Sequence, residues 1–412
     1  MGRLDVGIVG AGPAGLSAAL FLARQGHRVT VLERFSAAAP VGSGLMLQPT
    51  GMTVLAALGL LPRMLARGSR IDRLRGEDAR SRRTVLDVRY AARPGGRFGL
   101  GIRRAALFDT LLEAAASEGI RPLTGFEVAA AEERAAGLVL RAVSGDEAGP
   151  FDLVVDAGGA ATALRHAHGG MPAPRPLPYG AFWATVRLDG IAHDRHALAQ
   201  RYDRARVMIG LLPTGRLACG ETTGAFFWSL KVADAEAVKA DGIGRWAARI
   251  NDYWPEMAPV LAQIDGFEQL TLARYQHRTV LPPVAGRIAF IGDSAHSTSP
   301  QLGQGANMAL LDAATLAHML SRHDSVGAAL GAYAAARRRH VRVFQMLSLA
   351  FTPFYQSDSK ALAIIRDRLV ATIARVPPAP ALLAAIVSGT LVDPFAGTGL
   401  LECDWESLAA SA

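Results

Sequence analysis

Residues 5–34 read DVGIVGAGPAGLSAALFLARQGHRVTVLER, and this stretch decides the fold. Val6, Ile8 and Val9 predict a short buried strand, Leu16 to Gln25 carry a helical period, and His27 to Leu32 read as a second strand. Between strand and helix stand Gly10, Gly12 and Gly15, with Pro13 and Ala14 in the same turn, and Glu33 followed by Arg34 closes the second strand. Gly10 permits the tight turn, Gly12 lets a pyrophosphate approach the backbone, and Gly15 lets helix and strand close together. The free N–H groups and dipole at the helix start favour the negative charge. A carboxylate at Glu33 suits an unphosphorylated ribose, which points to FAD or NAD and away from NADP.

The chain has 412 residues, more than one core usually serves, so two or more domains are expected. Half of it is hydrophobic and 19% charged, a globular composition. Its formal charge of +8 comes from 44 Lys and Arg against 36 Asp and Glu. The cluster Arg337 to Arg342 lies in a helical run without interleaved aromatics, so nucleic acid is not an expected partner. Two cysteines, Cys219 and Cys403, build neither a disulfide framework nor a metal cluster, and ten scattered histidines lack metal-binding spacing. The chain enters the nucleotide strand without a signal peptide, and no apolar run reaches spanning length. The expectation is a cytoplasmic protein without stable membrane insertion, as a monomer or homodimer.

Further along, the loop Val41-Gly42-Ser43-Gly44 suits a backbone passing close to a ligand, and Thr50 to Leu61 has helical spacing with Gly59 as a stop. Residues 69–101 alternate in part, as strands of a second sheet would, and Arg104 to Glu118 returns to a helical pattern. Strand patterns follow near 121–132, 136–142 and 151–157. Four prolines between Pro172 and Pro178 mark a crossover between domains. Residues 179–280 then read as an antiparallel sheet, with Phe226, Trp228 and Leu230 sharing one face, either core or the wall of an aromatic cavity. After the strand Ile288 to Ile291 come Gly292 and Asp293, a polar loop, and a helix from about Gly305 to Leu320; long helices are expected near 326–350 and 358–375.

Three motifs stand in the order found in FAD-dependent aromatic hydroxylases of the para-hydroxybenzoate hydroxylase type: the glycine turn with Glu33, DLVVDAGGAATALR at 152–165, and GDSAHSTSPQLGQGANMALLDA from Gly292. The chain resembles that family over nearly its whole length. The resemblance implies an α/β protein with a parallel-sheet nucleotide domain (1–70, 100–178 and 281–350), an antiparallel substrate sheet (71–99 and 179–280) and a helical C-terminus (351–412). It implies FAD as cofactor, with NADPH or NADH as donor, and O2-dependent hydroxylation of an aromatic or polyketide-like small molecule through a flavin hydroperoxide. It places Asp293 at the ribityl chain, Pro300, Gly303, Gly305, Ala306 and Asn307 under the isoalloxazine, and Gly44 and Arg104 beside it. Gln48 and Pro49 fall next to the flavin, with Trp228, Tyr202 and His277 as further substrate-side candidates.

One departure matters. Where the family carries Asp-Gly in the second motif, this chain has Gly158-Gly159, while Thr162 replaces a serine and Arg165 is kept. The family's aspartate helps hold flavin and nicotinamide, so the identity of the electron donor is in question, and Asp156 substitutes only if the loop is redrawn. No general base is assigned: Tyr202, Tyr275 and His277 each serve equally as structural residues, and His296 reads as a packing or backbone-bonding residue. The alternatives are an oxidoreductase of the same fold without hydroxylation (a reductase or halogenase-like enzyme), one reduced by another donor, or a redox-dependent interaction module.

Overall fold

A computed structural model describes residues 2–37, 43–167, 171 and 173–411; the expected loop residues Val41 and Gly42, and Pro172 of the crossover, lie outside these. The first strand, Asp5–Val9, lies second from the edge of a five-stranded sheet, flanked in parallel by the edge strand Arg28–Leu32 and by the middle strand Leu153–Asp156. Ile288–Phe290 adds a fourth parallel strand, and Val284–Ala285 closes the edge antiparallel. Val6, Ile8 and Val9 are all buried because both faces of the strand are covered: Val6 and Ile8 pack with helices on one side, and Val9 packs on the other with Val128, Leu138 and Leu140. The helices Pro13–Arg24 and Gly305–Arg322 pack together on this sheet. A three-stranded antiparallel meander of 128–134, 137–142 and 147–151 sits beside it. The expected strand near 121–132 begins only at Val128, because 121–127 forms a connection that touches Leu32 through Leu123.

The second layer is a seven-stranded sheet ordered 271–277, 175–187, 222–231, 207–216, 197–203, 73–78 and 84–89. Its pairings are antiparallel except for 73–78 beside 197–203. A small sheet of 44–47, 99–103 and 69–71 joins the two layers. On its outer face the seven-stranded sheet carries the helices Ala235–Ala240, Ile243–Tyr253 and Ala258–Leu261, which alternation alone does not reveal. The helix Val326–Tyr355 runs unbroken through residue 350, so the expected boundary there falls inside one helix. Ala379–Ser388 then packs between the flavin-side loop and the sheet, burying Ile386 and Val387.

Candidate active site

The three sequence motifs meet at the carboxyl ends of the parallel strands, where a ligand binds in an open α/β sheet. Gly10 has φ +95°, and a Cβ there would sit 2.6 Å from the Ala157 carbonyl oxygen; at Gly15 it would sit 2.0 Å from that of Gly10. The first turn is thereby pressed against the loop of the second motif. Around Gly12 the space is open, and the helix that starts at Pro13 has no side-chain cap, so its first N–H groups face that space. Glu33, buried at the end of the second strand, accepts from the N–H groups of Ala11 at 2.8 Å and Phe35 at 3.1 Å. Arg34 is exposed, its guanidinium over the Phe35 ring.

The third motif is fixed by a buried charge cluster. Asp312, inside the helix Gly305–Arg322, accepts from the Gly292 N–H at 2.8 Å and from Arg337 Nε at 2.7 Å, and its Oδ2 lies 2.5 Å from His296 Nε2. Burial opposes the charge on Asp312, but His296, Arg337 and the Gly292 amide outweigh it and hold the carboxyl at about 2. His296 thus bonds a side chain, not the backbone. The cluster sets the turn that leaves Asp293 exposed at the start of a short helix, where a ribityl chain can reach it.

Asn307 joins the flavin loop to the neighbouring strand. Its Oδ1 accepts from the Gln48 N–H at 2.8 Å, and its Nδ2 donates to the carbonyls of Gly303 at 2.9 Å and Met46 at 3.1 Å. Pro49 starts the next helix immediately after Gln48. Tyr90 donates to Gln48 Oε1 at 2.5 Å, while Gln48 Nε2 is buried without a hydrogen-bond partner among the described residues, 3.5 Å from where a Cβ on Gly303 would stand. Gly44 opens the strand that ends at Leu47, and the Arg104 N–H bonds the Ser43 carbonyl. Pro300 lies in the short turn before Gly303, and Gly305 and Ala306 open the long helix.

These residues fit FAD. The uncapped helix start suits the pyrophosphate, the Glu33 carboxylate suits ribose hydroxyls, and the unpartnered Gln48 amide is the kind of buried donor a bound ring edge satisfies. The group supplies the oxygen-activating redox chemistry when bound, and the chain supplies the cradle.

Trp183 and Phe227 stack at 4.5 Å between centroids on the face of the seven-stranded sheet turned toward this loop. Trp183 packs in one cluster with Met46, and its indole N–H donates to the Tyr275 oxygen at 2.9 Å. Burial pushes the Tyr275 phenol up to about 12, while the indole bond and the Arg104 charge pull weakly the other way. Tyr275 is therefore a proton-bearing donor near neutral pH.

The other substrate-side expectations are corrected. Trp228 points to the outer face, in the core with Phe182 and Trp246, because successive residues of a strand face opposite ways. Its neighbour Phe227 holds the inward position. Tyr202 is fully buried, donates to Gln200 and lies under the Arg366 guanidinium, so burial drives its pKa far up. His277 lies 3.3 Å from the Ser348 hydroxyl against the helix 326–355, and burial lowers its pKa, keeping it neutral. Alternation in AFWATVRL was the available signal for Trp183; nothing in the sequence paired it with Tyr275.

A cavity of about 190 Å³ lined by Glu77, Arg201, Leu211 and Trp254 lies on the sheet's outer face, away from the flavin loop. Among the described residues no group of three metal-ligating side chains occurs, and no helix is long and apolar enough to cross a membrane.

Comparison with known proteins agrees with this geometry. A model of the FAD-binding domain family matches residues 3–347. The chain is 31% identical over 388 residues to the 3-amino-4-hydroxybenzoate 2-monooxygenase PtnB3 of Streptomyces platensis, covering 91% of this chain and 94% of that protein. It is 29% identical to the 6-methylpretetramide 4-monooxygenase of Streptomyces rimosus, covering 93% and 92%. The tetrameric form of 2-methyl-3-hydroxypyridine-5-carboxylic acid oxygenase superposes with a TM-score of 0.74 at 22% identity, over 90% of this chain and 98% of that one. The chain belongs to the FAD-binding domain family. Within it the chain is an FAD-dependent monooxygenase, an oxidoreductase.

Proposed function

We propose that the enzyme hydroxylates an electron-rich aromatic or polyketide-like small molecule with O2, using FAD reduced by NADH or NADPH. The observation that carries this reading is the aromatic wall: Trp183, Phe227 and Tyr275 stand on the sheet face opposite Met46, Gln48 and Gly303. A flat ring held there stacks on the aromatic pair, while the Tyr275 O–H, its oxygen already accepting from the indole, is free to donate to a ring substituent.

The wall and the Ala379–Ser388 helix exclude water, and Tyr275 and Arg104 offer a donor and a positive charge to an anionic or phenolic group. Neither serves as a base, so the favoured substrate is a ring already activated by an amino or ionisable hydroxyl group. The relative named as a 3-amino-4-hydroxybenzoate 2-monooxygenase acts on a ring that carries both groups. For the donor, buried Arg165 and Arg278 supply positive charge beside the flavin loop, with guanidinium nitrogens that have no hydrogen-bond partner among the described residues, which suits a phosphate-bearing nicotinamide.

The test is anaerobic titration of the FAD-loaded protein with NADH and then NADPH, with and without a panel of aminophenols and hydroxybenzoates. Loss of the oxidised flavin spectrum that a ring compound accelerates supports the reading. Bound FAD that neither nucleotide bleaches contradicts it.

A further inference from the structure

The second motif carries glycine where the family carries aspartate, yet the structure puts a carboxylate at that place. Asp156 ends the central strand and is fully buried. Its Oδ1 accepts from the Gly158 N–H at 2.9 Å, and Thr162 bonds the same carboxyl. A Cβ built on Gly158 would stand 3.2 Å from Asp156 Oδ1 and 3.1 Å from Thr162 Oγ1. The space a side chain at 158 would enter is thus already filled by the carboxylate from 156. The acid of this motif thus stands two residues earlier than in the family's pattern, and its carboxylate reaches the space beside residue 158.

We propose that Asp156 is a positioning residue that supplies this carboxylate in place of an aspartate at 158, holding the 157–162 loop and Arg165 in the form that receives FAD and the nicotinamide donor. Three contacts give it that reach. The Asp156 carbonyl accepts from the Ile291 N–H at 3.0 Å and from Ser294 Oγ at 2.5 Å, tying it to the Gly292-Asp293 turn. Ala157 and Gly158 lie against the Gly10 turn. Arg165 donates to the Ala160 carbonyl and is buried among the charges of Asp156, Asp293 and Arg278. Arg165, a buried guanidinium with a second like charge at Arg278 near it, needs a fixed anion close by, and Asp156, whose Oδ2 has no hydrogen-bond partner among the described residues, supplies such a charge to Arg165.

The proposal rests on the functional reading above for the donor, but not for FAD. Its test is a four-way cycle of wild type, Asp156→Gly, Gly158→Asp and the double exchange Asp156→Gly/Gly158→Asp, with Asp156→Asn as an isosteric neutral control. Each is read by FAD affinity through flavin fluorescence and by the rate of anaerobic reduction with NADH or NADPH. Removing the carboxylate (Asp156→Gly, Asp156→Asn) or crowding a second one beside it (Gly158→Asp) is expected to weaken both by about tenfold or more, and the double exchange to recover to within about threefold of wild type. A purely structural role for residue 156 gives no such recovery.

Asp156→Asn indistinguishable from wild type, or a double exchange no better than the worse single variant, overturns the proposal. If wild type itself is reduced by neither nucleotide, the donor assignment falls, and the FAD arm of the cycle still decides the part played by Asp156.

Discussion

The indole N–H of Trp183 meets the phenol oxygen of Tyr275 at 2.9 Å, joining two neighbouring strands of the seven-stranded sheet on the side that faces the flavin loop. The phenol is held protonated by burial, so its remaining hydrogen is available to a ring substituent. Tyr275→Phe is expected to cost about 1 kcal/mol of stability, to leave FAD affinity unchanged, and to raise KM for the aromatic substrate while releasing more peroxide per nucleotide consumed. Steady-state kinetics with peroxide detection checks this.

The opposite face gives the complementary case. Trp228 packs with Phe182 and Trp246 under the outer helices, so Trp228→Ala is expected to lower stability by about 3–5 kcal/mol without a selective effect on KM. Phe227→Ala, one residue away on the inward face, should raise KM. Chemical denaturation set beside kinetics for both variants separates core from wall.

How far the sequence announced all this depends on the kind of signal. The turn at Gly10, Gly12 and Gly15 with Glu33, and the Gly292-Asp293 loop, were legible because each needs specific residues at fixed local spacing. The sheet over 179–280 was legible through alternation. Its outer helices were passed over although Ile243, Trp246, Ala247 and Ile250 recur at helical spacing and pack on the sheet, because they are short insertions within a run that otherwise alternates as strands do. The partners Asp312 and Arg337 sit on separate helices 25 residues apart, and their meeting is a fact of helix packing with no local signature.

That pair yields a stability prediction. Asp312→Asn leaves the buried Arg337 guanidinium without its counter-charge and is expected to cost about 3–5 kcal/mol, with weakened FAD binding because the Gly292 turn loosens. The sign of the pH effect follows from the folded-state value of about 2, below the ordinary 3.8. The contribution of Asp312 is complete above 3.8 and is lost as pH falls toward 2. Denaturation midpoints across acid pH should show a component present in wild type and missing in the variant.

Asn307 makes three hydrogen bonds that join the Gln48 strand to the Gly303 loop. Asn307→Leu keeps the branching at Cγ and removes all three, at about 0.5–1.5 kcal/mol each. The expected outcome is a folded protein purified with little FAD, whose FAD affinity by fluorescence titration is lowered more than its melting temperature in the absence of added flavin.

The most direct measurement of the central claim is turnover with reduced nicotinamide under isotopically labelled O2, using activated aromatic acids and amines as substrates and mass spectrometry of the products. One labelled oxygen atom is expected on the ring of the accepted substrate and none from water. Nucleotide and O2 consumed in the presence of a bound ring compound with no label on any ring would contradict it.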